Sequence, residues 1–77
     1  MDIKVLGPGC PKCKTAEKVV RETIKNSNIN ANIEKISDPM KIASFGVFGT
    51  PAIIVNGDVK SVGKIPSEEE ILEWTKD

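Results

Sequence analysis

The sequence predicts an α/β fold in the order βαβαββα, a four-stranded mixed sheet flanked by three helices, and three local signals carry that prediction. An apolar run, Ile3-Lys4-Val5-Leu6, is broken by Gly7-Pro8-Gly9 and passes at once into a helical pattern. A second run, Ala52-Ile53-Ile54-Val55, meets Asn56-Gly57 and then Asp58 to Val62. That is a hairpin signal, because Asn-Gly tolerates the positive φ angles of a type I′ turn. Ser67-Glu68-Glu69-Glu70 forms a capping box ahead of Ile71, Leu72 and Trp74, so a helix follows the hairpin.

Taken in order, the first strand is Ile3–Leu6, and the first helix opens with Cys10 at the N-cap and Pro11 at the first helical position, where a missing N–H costs nothing. Ala16, Val19, Val20, Thr23 and Ile24 recur at helical spacing, with Lys18, Arg21, Glu22 and Lys25 on the other side. Asn26-Ser27-Asn28 ends this helix, and Ala31 to Ile36 alternates as a second strand that Ile29 could extend. Asp38-Pro39 is a cap followed by a helix-starting proline, and Gly46 a stop, which gives a short helix from Pro39 to Phe45. A right-handed crossover leaves the first two strands parallel, while the hairpin adds an antiparallel pair. Phe45, Val47 and Phe48, set between glycines, read as core more readily than as an apolar docking rim, and Trp74 with Ile71 reads as core as well.

At 77 residues the chain suits one domain, residues 1–77, since domains usually run to about 100–150 residues. Its 39% apolar and 29% charged residues are the composition of a folded protein. Lys plus Arg and Asp plus Glu both total 11, so no net field holds a polyanion or an anionic surface, and nucleic acid is not an expected partner. The longest charge run, Glu68-Glu69-Glu70, reads as a solvated helix start. The opening Met1 to Leu6 holds an acid and a base and is too short for a secretory apolar region, and no stretch approaches the ~20 apolar residues of a membrane span. A cytoplasmic monomer with no membrane partner is the expectation.

Cys10-Pro11-Lys12-Cys13 carries the chemistry. Two cysteines at this spacing share one helical turn and can close a disulfide with little backbone movement. A staple around so short a loop stabilises by only about 2 kcal/mol, which makes a purely structural bridge poorly placed here. Cys10 at the N-cap faces unpaired backbone amides and the positive end of the helix dipole, which favour thiolate over thiol and bring it below the free value of about 8.5. Pro11, by opening the helix, and Lys12, by its charge, tune that ionisation, with Lys14 nearby. Cys10 is therefore the expected nucleophile. Cys13, one turn deeper with its amide engaged by the helix, is the expected resolving thiol, and the pair is a redox-active disulfide. Neither a metal nor an organic cofactor is required.

Metal binding is the main rival. A closed zinc site wants four ligands, and the chain has two cysteines and no histidine, although two thiolates could still carry Cu(I). Heavy-metal chaperone domains resemble this chain in length and in an early CxxC, but they run βαββαβ and finish on a strand.

Cys10-Pro11-Lys12-Cys13 after a strand, Thr50-Pro51 before a hairpin, Gly63 after it and a closing helix together resemble the thioredoxin superfamily over nearly the whole chain, most of all its small glutaredoxin-like members. Without the resemblance, Pro51 needs no more than a strand's first position, where its missing N–H is tolerated. The resemblance implies a cis bond at Pro51, lying against the CxxC, and a substrate segment paired to the backbone of Thr50. It also implies a thiol–disulfide oxidoreductase acting on protein disulfides and reduced by a flavin- and NADPH-dependent thioredoxin reductase. A non-catalytic interaction module that keeps the fold is a further alternative. The chain departs from the family pattern at Gly9, where thioredoxins have a flanking Trp, and at Lys4, where they bury a carboxylate. Lys12 in place of the glutaredoxin tyrosine, and no Gly-Gly…Asp segment after Val62, argue against glutathione as the reductant.

Overall fold

A computed structural model describes residues 1–76. Its elements are β1 (Asp2–Leu6), α1 (Pro11–Asn26), β2 (Asn32–Ile36), α2 (Pro39–Ser44), β3 (Ala52–Val55), β4 (Asp58–Val62) and α3 (Glu68–Trp74). The strands form one sheet in the order β2-β1-β3-β4, with β1 parallel to β2 and antiparallel to β3, and β3 antiparallel to β4. The expected element order and mixed sheet are both present.

The element bounds differ from the sequence reading only at their ends, where backbone and side-chain hydrogen bonds set them. β1 begins at Asp2, whose N–H donates to Asn56 Oδ1 at 2.9 Å while its carbonyl accepts the Asn56 N–H at 2.7 Å. β2 begins at Asn32, whose N–H donates to the Met1 carbonyl at 2.9 Å. α2 stops at Ser44 because the Phe45 and Gly46 amides close back three residues, onto Ile42 and Ala43. Gly46 is the expected stop, with a left-handed φ of +78°.

The two central strands are covered on both sides, which explains their near-continuous apolar runs. On one face Ile3, Val5, Ile53 and Val55 pack with Val20 and Ile24 of α1 and Ile71 of α3, and Trp74 leans on this cluster. On the other, Leu6, Ala52, Ile54 and Ile36 pack with Ile42 of α2 and with Val47. Each fully buried Ile or Leu contributes roughly 1.5–3 kcal/mol. Phe48 corrects the core reading: it is 92% exposed, and Phe45 is exposed too, so only Val47 of that trio enters the core. The edge strands present Glu34 and Lys35 on β2 and Asp58 and Lys60 on β4, charges that discourage pairing with another sheet.

Asn56 (φ +50°) and Gly57 (φ +88°) make the β3–β4 turn with both central residues at positive φ, as type I′ requires. The register then slips between Ile53 and Ile54, pairing Ile54 with Val59 but Ile53 with Ser61, so Lys60 is an extra residue on β4. The bulge turns Ser61 onto the α1/α3 face of the sheet. Its Oγ is buried there with no hydrogen-bond partner among the described residues. An orphaned buried hydroxyl is destabilising, so Ser61→Ala is expected to stabilise the fold by about 1 kcal/mol. Calorimetry should then find the unfolding midpoint raised by roughly 4–8 °C. A lowered midpoint would mean that the hydroxyl has a partner.

Candidate active site

Four residues, Gly7-Pro8-Gly9-Cys10, carry the chain from the end of β1 to the start of α1, and Gly9 makes the turn at φ +96°. With so short a connection, the first turn of α1 stands directly over the end of β1. Cys10 is the N-cap, with extended backbone angles, and its sulfur accepts the Cys13 N–H at 3.2 Å. This differs from the expectation that the helix engages the Cys13 amide: the amide serves the Cys10 sulfur instead. Pro11 occupies the first turn, and the helical ladder starts with the Lys14 N–H donating to the Cys10 carbonyl at 3.0 Å. Cys10 and Cys13 are joined as a disulfide with Cα atoms 5.0 Å apart. Cys13 is fully buried and Cys10 is partly exposed.

Thr50 and Pro51 reach the same place through strand register. Leu6 pairs with Ala52 in the antiparallel β1–β3 ladder, so continuing by one residue sets Pro51 beside Gly7. Pro51 is buried, Thr50 is half-buried, and the peptide bond between them is cis. The Gly63 N–H donates to the Pro51 carbonyl at 2.8 Å, and Lys12 Nζ reaches over to the Gly63 carbonyl at 3.4 Å. The dithiol turn, the Pro51 loop and the end of β4 are thus linked in a chain of hydrogen bonds. Lys12 is exposed and its ammonium is engaged with β4.

Sequence reasoning treats Gly7 only as a strand breaker, yet it bounds the site. A Cβ placed on Gly7 would lie 2.5 Å from the Cys13 sulfur and 2.7 Å from the Cys13 Cβ. Nothing in the sequence distinguishes a glycine needed for clearance from one needed for a turn. Lys4, at the position of the family's buried carboxylate, is half-buried and in register with Glu34 of β2. Among the described residues no cluster of three or more His, Cys, Asp or Glu is assembled.

Two ion-pair groups brace the supports of the site. Arg21 Nε donates to Glu17 Oε2 at 2.9 Å and Lys35 Nζ to Oε1 at 3.2 Å, which ties α1 to β2. The Arg21 hydrogen bond, with help from Lys35, holds the Glu17 carboxyl below its ordinary value. Lys64 Nζ donates to Glu70 Oε2 at 2.5 Å, and the Ser67 N–H to Oε1 at 3.1 Å, which lowers Glu70 as well.

A disulfide across the first turn of a helix, carried at the end of a central strand of a four-stranded mixed sheet, is the arrangement of a thiol–disulfide exchange protein. The sequence model of the thioredoxin domain family matches residues 1–76. A thioredoxin of Methanothermobacter thermautotrophicus is 38% identical over 71 residues, covering 92% of each chain. One from Methanocaldococcus jannaschii is 39% identical over 74 residues, covering 96% of this chain and 85% of its own. The chain belongs to the thioredoxin domain family, and it is a thiol–disulfide oxidoreductase whose reactive pair is Cys10 and Cys13.

A carboxyl lowered in the folded state contributes stability above its unfolded value, and that stability is lost as pH falls through the folded value. The unfolding midpoint of the wild type should therefore fall as pH drops below the ordinary glutamate value of 4.5. Glu17→Gln should fall less steeply over that window when melted by circular dichroism at a series of pH values. Parallel curves would show that the Arg21–Glu17–Lys35 group adds nothing to stability.

Proposed function

We propose that the protein reduces protein disulfides, with Cys10 as nucleophile and Cys13 as resolving thiol, and that a flavin- and NADPH-dependent thioredoxin reductase returns it to the dithiol. The observation that carries this reading is the asymmetry of the pair: Cys10 is partly exposed and its sulfur accepts a backbone amide, while Cys13 is fully buried one turn deeper. Amide hydrogen bonds and the helix dipole favour an anionic sulfur at the N-cap. Pro11 sets the opening turn without an N–H of its own, and the Lys12 charge adds to the same field while its ammonium is held at Gly63.

In the first step the Cys10 thiolate attacks one sulfur of a substrate disulfide. The Cys10–substrate bond forms, the substrate S–S bond breaks, and the departing thiolate takes a proton from water. Cys13 then releases its proton to water and attacks the Cys10 sulfur. The Cys10–Cys13 bond forms, the mixed disulfide breaks, and the second substrate sulfur leaves as a thiolate with the bonding pair. It takes a proton from water, so the substrate has gained two electrons and two protons. Thr50 offers the substrate its backbone, and Pro51 walls the site beside the sulfurs. Residues 1–77 act as a single domain and as a monomer. A reducing compartment, the cytoplasm, suits a dithiol that must be kept reduced.

Cys13→Ser is expected to accumulate a mixed disulfide with a substrate protein, and Cys10→Ser to accumulate none. Both should lower turnover of insulin disulfides with dithiothreitol by at least ~10³-fold, because resolution is no longer intramolecular or attack no longer occurs. Equal Cu(I) loss from the two variants, with no insulin reduction by the wild type, would replace this reading with that of a metal carrier.

A further inference from the structure

Four of the six glycines are accounted for by backbone angle, and a Cβ on Gly49 would press only on the end of the Val62 side chain, at 3.0 Å, but Gly7 is neither case. Gly9, Gly46, Gly57 and Gly63 have left-handed φ values, and none would bring a Cβ within 4 Å of another group. Gly7 is the reverse case. Its φ lies outside the left-handed range, so any L-residue could adopt its backbone, yet its Cβ would strike Cys13 at two atoms, 2.5 Å from Sγ and 2.7 Å from Cβ. It is also held from two sides, by its own N–H donating to the Ile36 carbonyl at 2.8 Å and by the β1–β3 ladder that ends at Leu6. The backbone under Cys13 therefore has little freedom to retreat. Clearance for the buried cysteine is the one demand on this position that only glycine meets.

We infer that Gly7 is a positioning residue for disulfide exchange: it is the seat of the resolving sulfur, and its missing side chain lets Cys13 lie deep enough for the Cys10–Cys13 bond to close. The two redox states make different demands on that seat. In the disulfide, the Cys13 sulfur is tethered to Cys10 and must stay where it is, 2.5 Å from the atom that alanine would add. In the dithiol, the S–S bond is broken, each sulfur carries its own proton or charge, and the Cys13 side chain can rotate its sulfur away from Gly7. The contact at the Cys13 Cβ therefore burdens both states, and the contact at the sulfur burdens the disulfide. A methyl at position 7 thus penalises the oxidised form more than the reduced form. Closing the bond, with two electrons passed to the substrate disulfide and two protons released, becomes less favourable.

This inference rests on the exchange chemistry proposed above, and the wild-type protein separates the two. Wild type and Gly7→Ala are equilibrated with reduced and oxidised glutathione, quenched in acid, and their thiols alkylated and counted. The expected result is a wild type that titrates reversibly and a variant whose equilibrium constant for disulfide formation is at least ~tenfold lower, about 30 mV more oxidising for a two-electron couple. A wild type that never equilibrates overturns the exchange reading itself. A variant that folds and matches the wild-type constant overturns only the role of Gly7, because a purely structural defect moves both redox states alike. Should Gly7→Ala fail to fold, the double variant Gly7→Ala with Cys13→Gly, which vacates the space in question, decides the matter. Folding of the double variant supports the seat, and its failure to fold where Cys13→Gly alone folds shows that Gly7 is needed for something other than Cys13.

Discussion

The close approach of the first turn of α1 to the end of β1 is the constraint from which the rest of the site follows. Only Gly7, Pro8, Gly9 and the capping Cys10 separate the two elements, so the helix cannot stand off from the sheet. Its first turn must place one residue inward and one outward, and the two cysteines occupy those positions: Cys13 against the strand end, Cys10 at the cap. Two chemically identical side chains, three residues apart, acquire different surroundings from this single feature. One cysteine is partly exposed with its sulfur on a backbone amide, and the other is packed against the strand end.

That arrangement needs a rigid floor, which the central strands supply. β1 and β3 are covered on both faces by apolar side chains, and the ladder between them fixes Leu6 opposite Ala52. Because side chains alternate along a strand, a slip of one residue would put Ile53 and Ile54 on the wrong faces, so the register is strongly specified. The same register carries Pro51 to the side of Gly7 although the two lie 44 positions apart in the sequence. The Gly63 amide on the Pro51 carbonyl and Lys12 on the Gly63 carbonyl then close the circuit back to the dithiol turn. Core packing thus does for the site what no local interaction of the CxxC could do alone.

The elements themselves are legible in the sequence because their signals are local. A cap, a proline at a helix start, an Asn-Gly pair and a capping box each state a backbone conformation within four residues, and all of them hold in the structure. Strand ends are less legible: Asp2 is drawn into the sheet by Asn56, 54 positions away, and Ala31, read as the start of the second strand, lies outside it. Phe48 lies in a glycine-bounded loop with no periodicity to report which way it faces, and it faces outward. The bulge at Lys60 leaves no mark in the pattern Asp58-Val59-Lys60-Ser61-Val62, so the inward turn of Ser61 could not be read from it. At the site, the cysteine pair is plain from spacing and from the elements around it, whereas the cis bond before Pro51 is implied by family resemblance and by nothing in the residues themselves.

Gly7 shows why sites of this kind are only half visible in a sequence. A residue type present for what it offers, such as a sulfur, a charge or a cap, announces its chemistry. A residue present for what it lacks announces nothing, because its purpose is the volume it leaves to another. In Gly7-Pro8-Gly9 the two glycines read alike, but Gly9 is there for its φ of +96° and Gly7 for the space beneath Cys13. The motif is accordingly longer than its four residues. It begins at the buried glycine that follows β1, where the depth of one sulfur is set, and the difference in depth between the two cysteines is what allows one to attack while the other waits.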